Sequence, residues 1–493
     1  MFSLLFVGMM LHSTKSWTPL VRFASSRQYL LRSLETMSTK YAATVEGIDE
    51  PSPKLNSAAS GKIPWVLLKR NRQSKSFRDG SQLVFSGSID KVSKPLRMAD
   101  LVQVEVPASD DPSNKQTQVV GWGVYNPDSM YRVRILQHAL LNTRSKTGEH
   151  LHSEDDMILD SILTTQMNKA IKTRQALGLP SAATDTYRLI NGEGDGLSGL
   201  AVDVIGNKLA VIMSSAAWCQ IHKLSIWNCL QQLMPDHELI WKTTASRLRQ
   251  DGLTILNDED DSNSEMVDEE TQPIIAIENG IKYQIFPHQK GQKTSVYCDQ
   301  RENRWNLAQL SEKKRVLDLC CYHGGFSLNA AKQGASSVIG VDSSDEAIET
   351  CRTNAALNEL EERVEFVKAD ISDFMKKCNS KFDLVVLDPP KLAPSVSGLA
   401  KASRKYHSLN RDALKLIDDE GGLLMTCTCS AAMTQKDGGK FFLQMVQQAS
   451  LSAQREITLL RVSGAAPCHT QSPISFPAGN YLTAAIFYVH PKP

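Results

Sequence analysis

At 493 residues the chain is too long for one ordinary domain, and roughly two to four are expected. Its net charge of +1 gives no global field for a polyanion, so any basic footprint has to be local. Ten scattered cysteines with no CxxC pair exclude a secreted disulfide scaffold and a structural zinc ribbon, and leave buried or catalytic thiols in a reduced compartment.

Residues 1–55 read as a targeting leader. Met1 to Leu34 hold no acid but carry Lys15, Arg22, Arg27 and Arg32 among serines, as organelle transit peptides do. Plastid or mitochondrial import is the expectation, and a start at Met37 gives a cytoplasmic form. The apolar run Phe2 to Leu11 is too short to span a bilayer, so no stable membrane insertion is expected.

Residues 61–138 alternate in short stretches (WVLL, LVFSGSI, LVQVEVP, VVGWGVY, YRVRIL) separated by turn residues, the pattern of a compact β-barrel. Its first turn carries Lys69, Arg70, Arg72, Lys75 and Arg78 without an acid, a cluster suited to RNA phosphates. Residues 150–257 form a mixed α/β segment: a helix over Met157 to Leu177, then a glycine-rich turn and a hairpin at Gly206-Asn207. Residues 258–272 are expected to be a disordered acidic loop, with eight Asp or Glu among the thirteen residues 258–270.

The remainder, 273–493, has the order of an α/β Rossmann-like sheet. Val316 to Leu319 is a first strand, with Asp318 near its end and Gly324 and Gly325 in the turn that follows, where backbone N–H groups approach a ligand. VIGVD ends at Asp342, placed for ribose hydroxyls, and VEFVKAD ends at Asp370, placed for an adenine amine. FDLVVLD runs into Asp388-Pro389-Pro390-Lys391, GLLMTC into Thr426-Cys427-Thr428-Cys429-Ser430, and NYLTAAIFYV is expected as a late edge strand. The turn Cys321-Tyr322-His323-Gly324-Gly325-Phe326 lacks the G-x-G-x-x-G spacing, and Asp318 would repel a pyrophosphate but suits a cationic amino-acid end. The series points to S-adenosylmethionine (SAM) and methyl transfer. A nucleophilic cysteine falls at Cys429 or Cys427, which alternation puts on one face. Cys298, Cys320, Cys321 and Cys351 read as small core residues. A metal centre from Cys427, Cys429 and His323 lacks a closed ligand set.

Together LVFSGSI, YRLINGEGDGLSGLAVD, GQKTSVYCDQRENR (Gly291 to Arg304), DPPK and TCS resemble the bacterial-type 23S rRNA large-subunit cytosine-C5 methyltransferases. That family joins an N-terminal PUA domain, a middle domain and a class I methyltransferase domain, and the resemblance covers nearly everything after residue 60. It implies SAM as cofactor, with Gln292, Thr294, Asp299 and Arg301 lining its pocket; large-subunit rRNA as partner; and 5-methylcytosine formed through Cys429, with Asp388 and Lys391 on the opposite rim. A homodimer is also considered. The chain departs from the family at Leu83, where a Trp is common, and at Cys468-His469-Thr470, where Asp-His-Pro is common. Two other readings compete: an amine-directed RNA methyltransferase using DPPK, and a non-catalytic RNA-binding assembly factor.

Overall fold

Glycines at two points of one strand explain the shape of the N-terminal sheet. In the computed structural model a Cβ on Gly121 would sit 2.3 Å from the Gln137 carbonyl oxygen, and one on Gly123 would sit 2.2 Å from that of Arg134. The ladder slips at the same place, between Trp122 and Gly123, so the strand coils hard against its neighbour. The result is a curled six-stranded sheet of β1 (Trp65–Leu68), β2 (Leu83–Phe85), β3 (Ile89–Val92), β4 (Leu101–Pro107), β5 (Thr117–Tyr125) and β6 (Tyr131–His138), ordered β2-β6-β5-β4-β1-β3. Val66, Val84, Val102, Val104, Val106 and Val133 fill its inside. The described residues are 63–70, 77, 80–109, 111, 113–139, 155–254, 273–286, 297–393 and 396–492. The leader, Arg72, Lys75, Arg78, the acidic segment, Gln292 and Thr294 lie outside them.

The middle sheet is β7 (Tyr187–Asn191), β8 (Leu200–Ile205), β9 (Leu209–Ser214) and β10 (Glu238–Thr243), ordered β10-β9-β8-β7. The Gly206-Asn207 turn takes φ of 62° and 52°, the left-handed conformation a tight hairpin needs. Helix Asp155–Ala176 covers this sheet through Leu159, Leu163 and Met167, which join Leu189, Val202 and Ile212 in one core. A short hairpin, β11 (Ile274–Glu278) and β12 (Ile281–Ile285), leads to the third sheet.

That sheet has seven strands: β13 (Arg315–Leu319), β14 (Ser337–Asp342), β15 (Val364–Lys368), β16 (Leu384–Leu387), β17 (Gly422–Thr428), β18 (Ile457–Ser463) and β19 (Thr483–Val489). Their order is β15-β14-β13-β16-β17-β19-β18, with β13 to β17 parallel and β19 antiparallel to β17 and β18. The strand order reverses between β13 and β16, and an open sheet of this kind receives its ligand in the crevice beyond that point. The last strand corrects the sequence expectation. β19 is interior, while the edge belongs to β18, whose middle five residues are exposed. TAAIFYV is apolar on both faces, as a strand covered on both sides must be.

The loop 464–482 between β18 and β19 fastens this sheet to the middle one. Arg174, 1% exposed, forms a bidentate pair with Asp195 at 2.5 and 2.9 Å and donates to the Cys468 carbonyl at 2.6 Å. Asn191 donates to the Thr470 carbonyl at 2.7 Å. Gly194 lets the two segments touch, since a Cβ there would lie 2.2 Å from the Thr470 carbonyl oxygen, a backbone atom that cannot swing away. Gly194→Ala is therefore expected to lower the stability of the folded chain by about 1–3 kcal/mol, as overpacking does. An unchanged urea midpoint would show that this junction is loose.

Candidate active site

The turn after β13 is held by its own carboxylates. Cys320, Tyr322 and Gly324 all take positive φ, at 68°, 51° and 83°. The Tyr322 amide donates to Asp342 Oδ2 at 3.1 Å, and the Ser344 amide to Asp342 Oδ1 at 3.0 Å, which fixes the β14 carboxylate at the rim. Asp318 is fully buried below the turn. Its Oδ2 accepts from the Ser327 amide at 3.0 Å and the Ser327 hydroxyl at 2.7 Å, while Oδ1 has no partner among the described residues. Burial pushes its pKa up to about 6, against the pull of Ser327 and the Arg304 charge. A buried carboxylate oxygen without a donor fits a cationic ligand group, as the ammonium of SAM provides.

On the other side of the switch point, Asp388 follows β16 and is half-buried. The Gln300 amide donates to its Oδ2 at 3.0 Å, and Asn303 holds Gln300 in turn at 2.6 Å. Burial first, and then the charge of Asp299, push Asp388 up to about 7, although Arg304 opposes them. Asp299 Oδ2 accepts from the Tyr481 hydroxyl at 2.6 Å, while Oδ1 is buried without a partner among the described residues. Arg304 is the cation of this acidic cluster: 3% exposed, it pairs at 2.6 Å with Glu278, which is 0% exposed. Gly325 makes room for it, since a Cβ there would meet Arg304 Nε at 2.5 Å.

The two cysteines left open by alternation separate in three dimensions. Cys427 lies within β17, is 0% exposed, and burial holds its thiol well above the ordinary range. Cys429 stands one residue past the strand and is half-buried. Its neighbours in the motif anchor the loop: the Thr428 hydroxyl donates to the Tyr406 oxygen at 2.9 Å, and the Ser430 hydroxyl to the Ala393 carbonyl at 2.6 Å. The second bond ties the cysteine loop to the chain beyond Asp388-Pro389-Pro390. Charge on Cys429 or Asp388 contributes to raising the pKa of both Tyr297 and Tyr406, after burial, so the phenols and both groups share one region.

Other expected residues divide. Asp370 stands beyond β15 but caps helix Ile371–Lys377, its Oδ1 accepting from the Ser372 and Asp373 amides at 2.8 and 3.1 Å. Lys391 is exposed at the rim. Arg301, expected at the cofactor pocket, is buried beside the 464–482 loop. Its guanidinium is buried against the Cys468 thiol at 3.5 Å and Glu302 at 3.2 Å, and it makes no ion pair with Asp299. Cys468 thus stands where a carboxylate would have paired with Arg301. Of the basic turn, Lys69 and Arg70 are among the described residues. Lys69 donates to the Gly87 carbonyl at 2.9 Å, and Arg70 to the carbonyls of Ser109, Asp111 and Asn114. These two cations bind their own domain's loops. Gln300 and Arg304 escape the sequence reading, though both lie in GQKTSVYCDQRENR. Nothing in a sequence says that Gln300 reaches a carboxylate 88 residues away.

Asp318 makes a pH prediction. Its native pKa of about 6 exceeds the ordinary 3.8, so the folded chain binds the proton more tightly than the unfolded chain. The stability this gives is complete below about pH 4 and disappears as pH rises through about 6, by up to about 3 kcal/mol. Ligand-free protein is expected to lose stability over that window relative to Asp318→Asn. Affinity for SAM is expected to climb toward a plateau above pH 6, because the ionised carboxylate receives the cation. Titration calorimetry at pH 5 and 7 checks this, and equal affinities would remove Asp318 from the pocket.

Comparison with known proteins agrees with this geometry. The Methyltransferase domain family matches residues 310–463 and the PUA-like domain family residues 66–138. The protein named Ribosomal RNA large subunit methyltransferase I of Escherichia coli is 28% identical over 424 residues, covering 85% of this chain and 97% of that one. Its Shigella flexneri counterpart is 28% identical over 425 residues, with the same coverage of 85% and 97%. A candidate methyltransferase solved with SAH superposes with a TM-score of 0.62 at 20% identity, covering 86% of this chain and 99% of that one. A candidate SAM-dependent methyltransferase from Streptococcus mutans gives 0.62 at 19% identity, with 86% and 99% covered. Sheet order, the carboxylate-lined turn and these likenesses agree: the chain carries a SAM-dependent methyltransferase domain on a Rossmann-like sheet, preceded by a PUA-like domain.

Proposed function

We propose that this protein methylates large-subunit ribosomal RNA, forming 5-methylcytosine through a covalent adduct of Cys429, in an organelle reached by way of residues 1–55. The observation that carries the chemistry is Cys429 itself. It is half-buried on the rim between Thr428 and Ser430, whose hydroxyls fix the loop beside the Asp388 loop. The name of the Escherichia coli relative supports ribosomal RNA as the substrate, and the PUA-like domain supports RNA binding.

C5 of cytosine is a poor nucleophile. The Cys429 thiolate adds to C6, forming the S–C6 bond and moving an electron pair toward N3 and O2. Asp388, pushed up to about 7, is available as the carboxylic acid near neutral pH and donates a proton toward N3 where that charge gathers. C5 is then an enamine carbon. Bound SAM would supply an electrophilic methyl group, which C5 accepts as the sulfonium S–C bond breaks and a neutral thioether is left. Loss of the C5 proton to a base, return of the N3 proton to Asp388 and cleavage of S–C6 release the thiolate and restore the aromatic ring. Gln300 keeps Asp388 in place. Asp318 and Asp342, across the switch point, hold the donor in line.

The experiment is a trap. RNA in which 5-fluorocytosine replaces cytosine has no C5 proton to lose, so the enzyme, SAM and RNA are expected to form an adduct stable to denaturing electrophoresis. Methylation of ordinary RNA with no adduct on fluorinated RNA would transfer the reading to exocyclic-amine methylation through the DPPK motif.

A further inference from the structure

Two grooves outside the cofactor crevice meet at Ala478. The first, about 860 Å³, lies between helix Leu399–Leu416 and the turn at 431–441. Ala400, Ser403, Ala432, Gln435, Lys436 and Phe441 form its walls, and Ala431, two residues from Cys429, is at its inner end. The second, about 490 Å³, lies between β6, the middle sheet and the 470–481 loop. Tyr131, Arg247, Phe476 and Tyr481 border it, and the Tyr481 hydroxyl reaches Asp299, whose charge helps raise Asp388. Ala478, in the 3₁₀ turn Pro477–Gly479, lines both grooves. Gln435 donates to the carbonyls of Pro477 and Asn480 at 2.6 and 2.9 Å, which holds that turn at the junction.

The chemistry of the walls is that of a track for a nucleic-acid strand. Lys436, which lines the first groove, is exposed, as are Lys401, Arg404 and Lys440, next in sequence to its lining residues Ala400, Ser403 and Phe441, and no carboxylate among the described residues pairs with any of them. Asp437 is the acid on that turn. The Lys436 ammonium lies 4.2 Å from the centroid of the Phe441 ring, which presents a charge and a flat apolar face together. At the far end of the second groove, Phe85 and Tyr131 lie 5.3 Å apart beside Met130, which is 63% exposed, and Arg247 is exposed on the groove wall. Cationic walls with aromatic faces fit a single strand, whose phosphates meet the charges and whose bases stack. Lys69 and Arg70, in the basic turn of the N-terminal sheet, donate to carbonyls of their own domain.

We infer that the two grooves are one path for single-stranded RNA, bent at Ala478, with the target base turned inward at the bend toward Cys429 and Asp388. One flank of the strand lies on Lys436, Lys440, Arg404 and Phe441. The other lies on Arg247 and Tyr131. The inference rests on the RNA reading above and adds to it that the substrate is unpaired on both sides of the target. An adjacent duplex would have to open, at a cost of a few kcal/mol per flipped base.

The test uses the full chain and a fluorescein-labelled single-stranded oligoribonucleotide, with the same strand annealed to its complement as the competitor. Binding is followed by anisotropy over a salt series. The triple variant Arg404→Ala/Lys436→Ala/Lys440→Ala is expected to weaken single-strand binding at least roughly tenfold, and to make the log–log salt slope shallower by about 0.7 for each phosphate it no longer neutralises. Tyr131→Ala is expected to weaken binding roughly fivefold or more with the slope unchanged, as removal of a stacking face does. SAM affinity, measured without RNA, is expected to stay at the wild-type value and reports an intact fold. A wild-type slope in the triple variant, or tighter binding of the duplex, overturns the path. The adduct on fluorinated RNA separates the two claims. An adduct with an unaltered triple variant overturns the path alone, and absence of both adduct and methylation in the wild type overturns the chemistry.

Discussion

Cys429→Ala is expected to lose both the fluorocytosine adduct and RNA methylation, the latter by at least about a thousandfold, because Cys427 is buried and burial and nearby carboxylates hold the Cys320 thiol at the β13 turn well above the ordinary range. Cys427→Ala is expected to keep the adduct. Its thiol is 0% exposed in the core between Met425 and Ala484, and burial opposes the thiolate a nucleophile needs. That variant is expected to lose about 1 kcal/mol of stability from the small cavity it creates. Electrophoresis of the trapped complex and nucleoside mass spectrometry read the two variants side by side. An adduct that disappears in Cys427→Ala and persists in Cys429→Ala would require β17 to open during the reaction, and would overturn Cys429 as the nucleophile.

Arg304→Leu is expected to cost about 3–5 kcal/mol, the range for breaking one side of a buried ion pair, because Glu278 is left charged at 0% exposure. Replacing both residues, as Arg304→Leu/Glu278→Leu, is expected to recover most of that loss, since the pair's attraction largely offsets the cost of drying two charges. The catalytic consequence does not recover in the double variant. Arg304 pulls the pKa of both Asp318 and Asp388 down, so removing it moves both upward: the acid limb of the pH–rate profile, set by ionisation of Asp318, and the alkaline limb, set by loss of the Asp388 proton, both shift to higher pH. Urea denaturation of the two variants, with a pH profile of the double variant, separates stability from electrostatics. A double variant as unstable as the single one would show that the guanidinium does more than compensate Glu278.

Much of the fold can be read locally. Short apolar runs ending in Asp318, Asp342, Asp370 and Asp388 are periodic in sequence, and the carboxyl end of each parallel strand falls on the same rim. The Gly206-Asn207 hairpin is equally local, because two left-handed residues are written into the dipeptide. Where the reading fails, a partner distant in sequence decides. β19 looks like any late strand until β18 pairs outside it, and Ile457–Ser463 carries so exposed a pattern that it does not read as a strand at all. Arg70 looks free for phosphate until the Ser109 and Asn114 carbonyls come to it.

Sequence alone determined the succession of strands along the methyltransferase domain up to β17, the carboxylates at their ends and the two cysteines proposed for the nucleophile. These follow from period, turn chemistry and residue type, which need no knowledge of distant neighbours. Tertiary structure decided which cysteine faces the rim, because β17 ends at Thr428 and buries Cys427 while leaving Cys429 beyond it. It also set the acid strength of Asp318 and Asp388, since desolvation and the Arg304 charge depend on groups brought together only when the sheet closes over them.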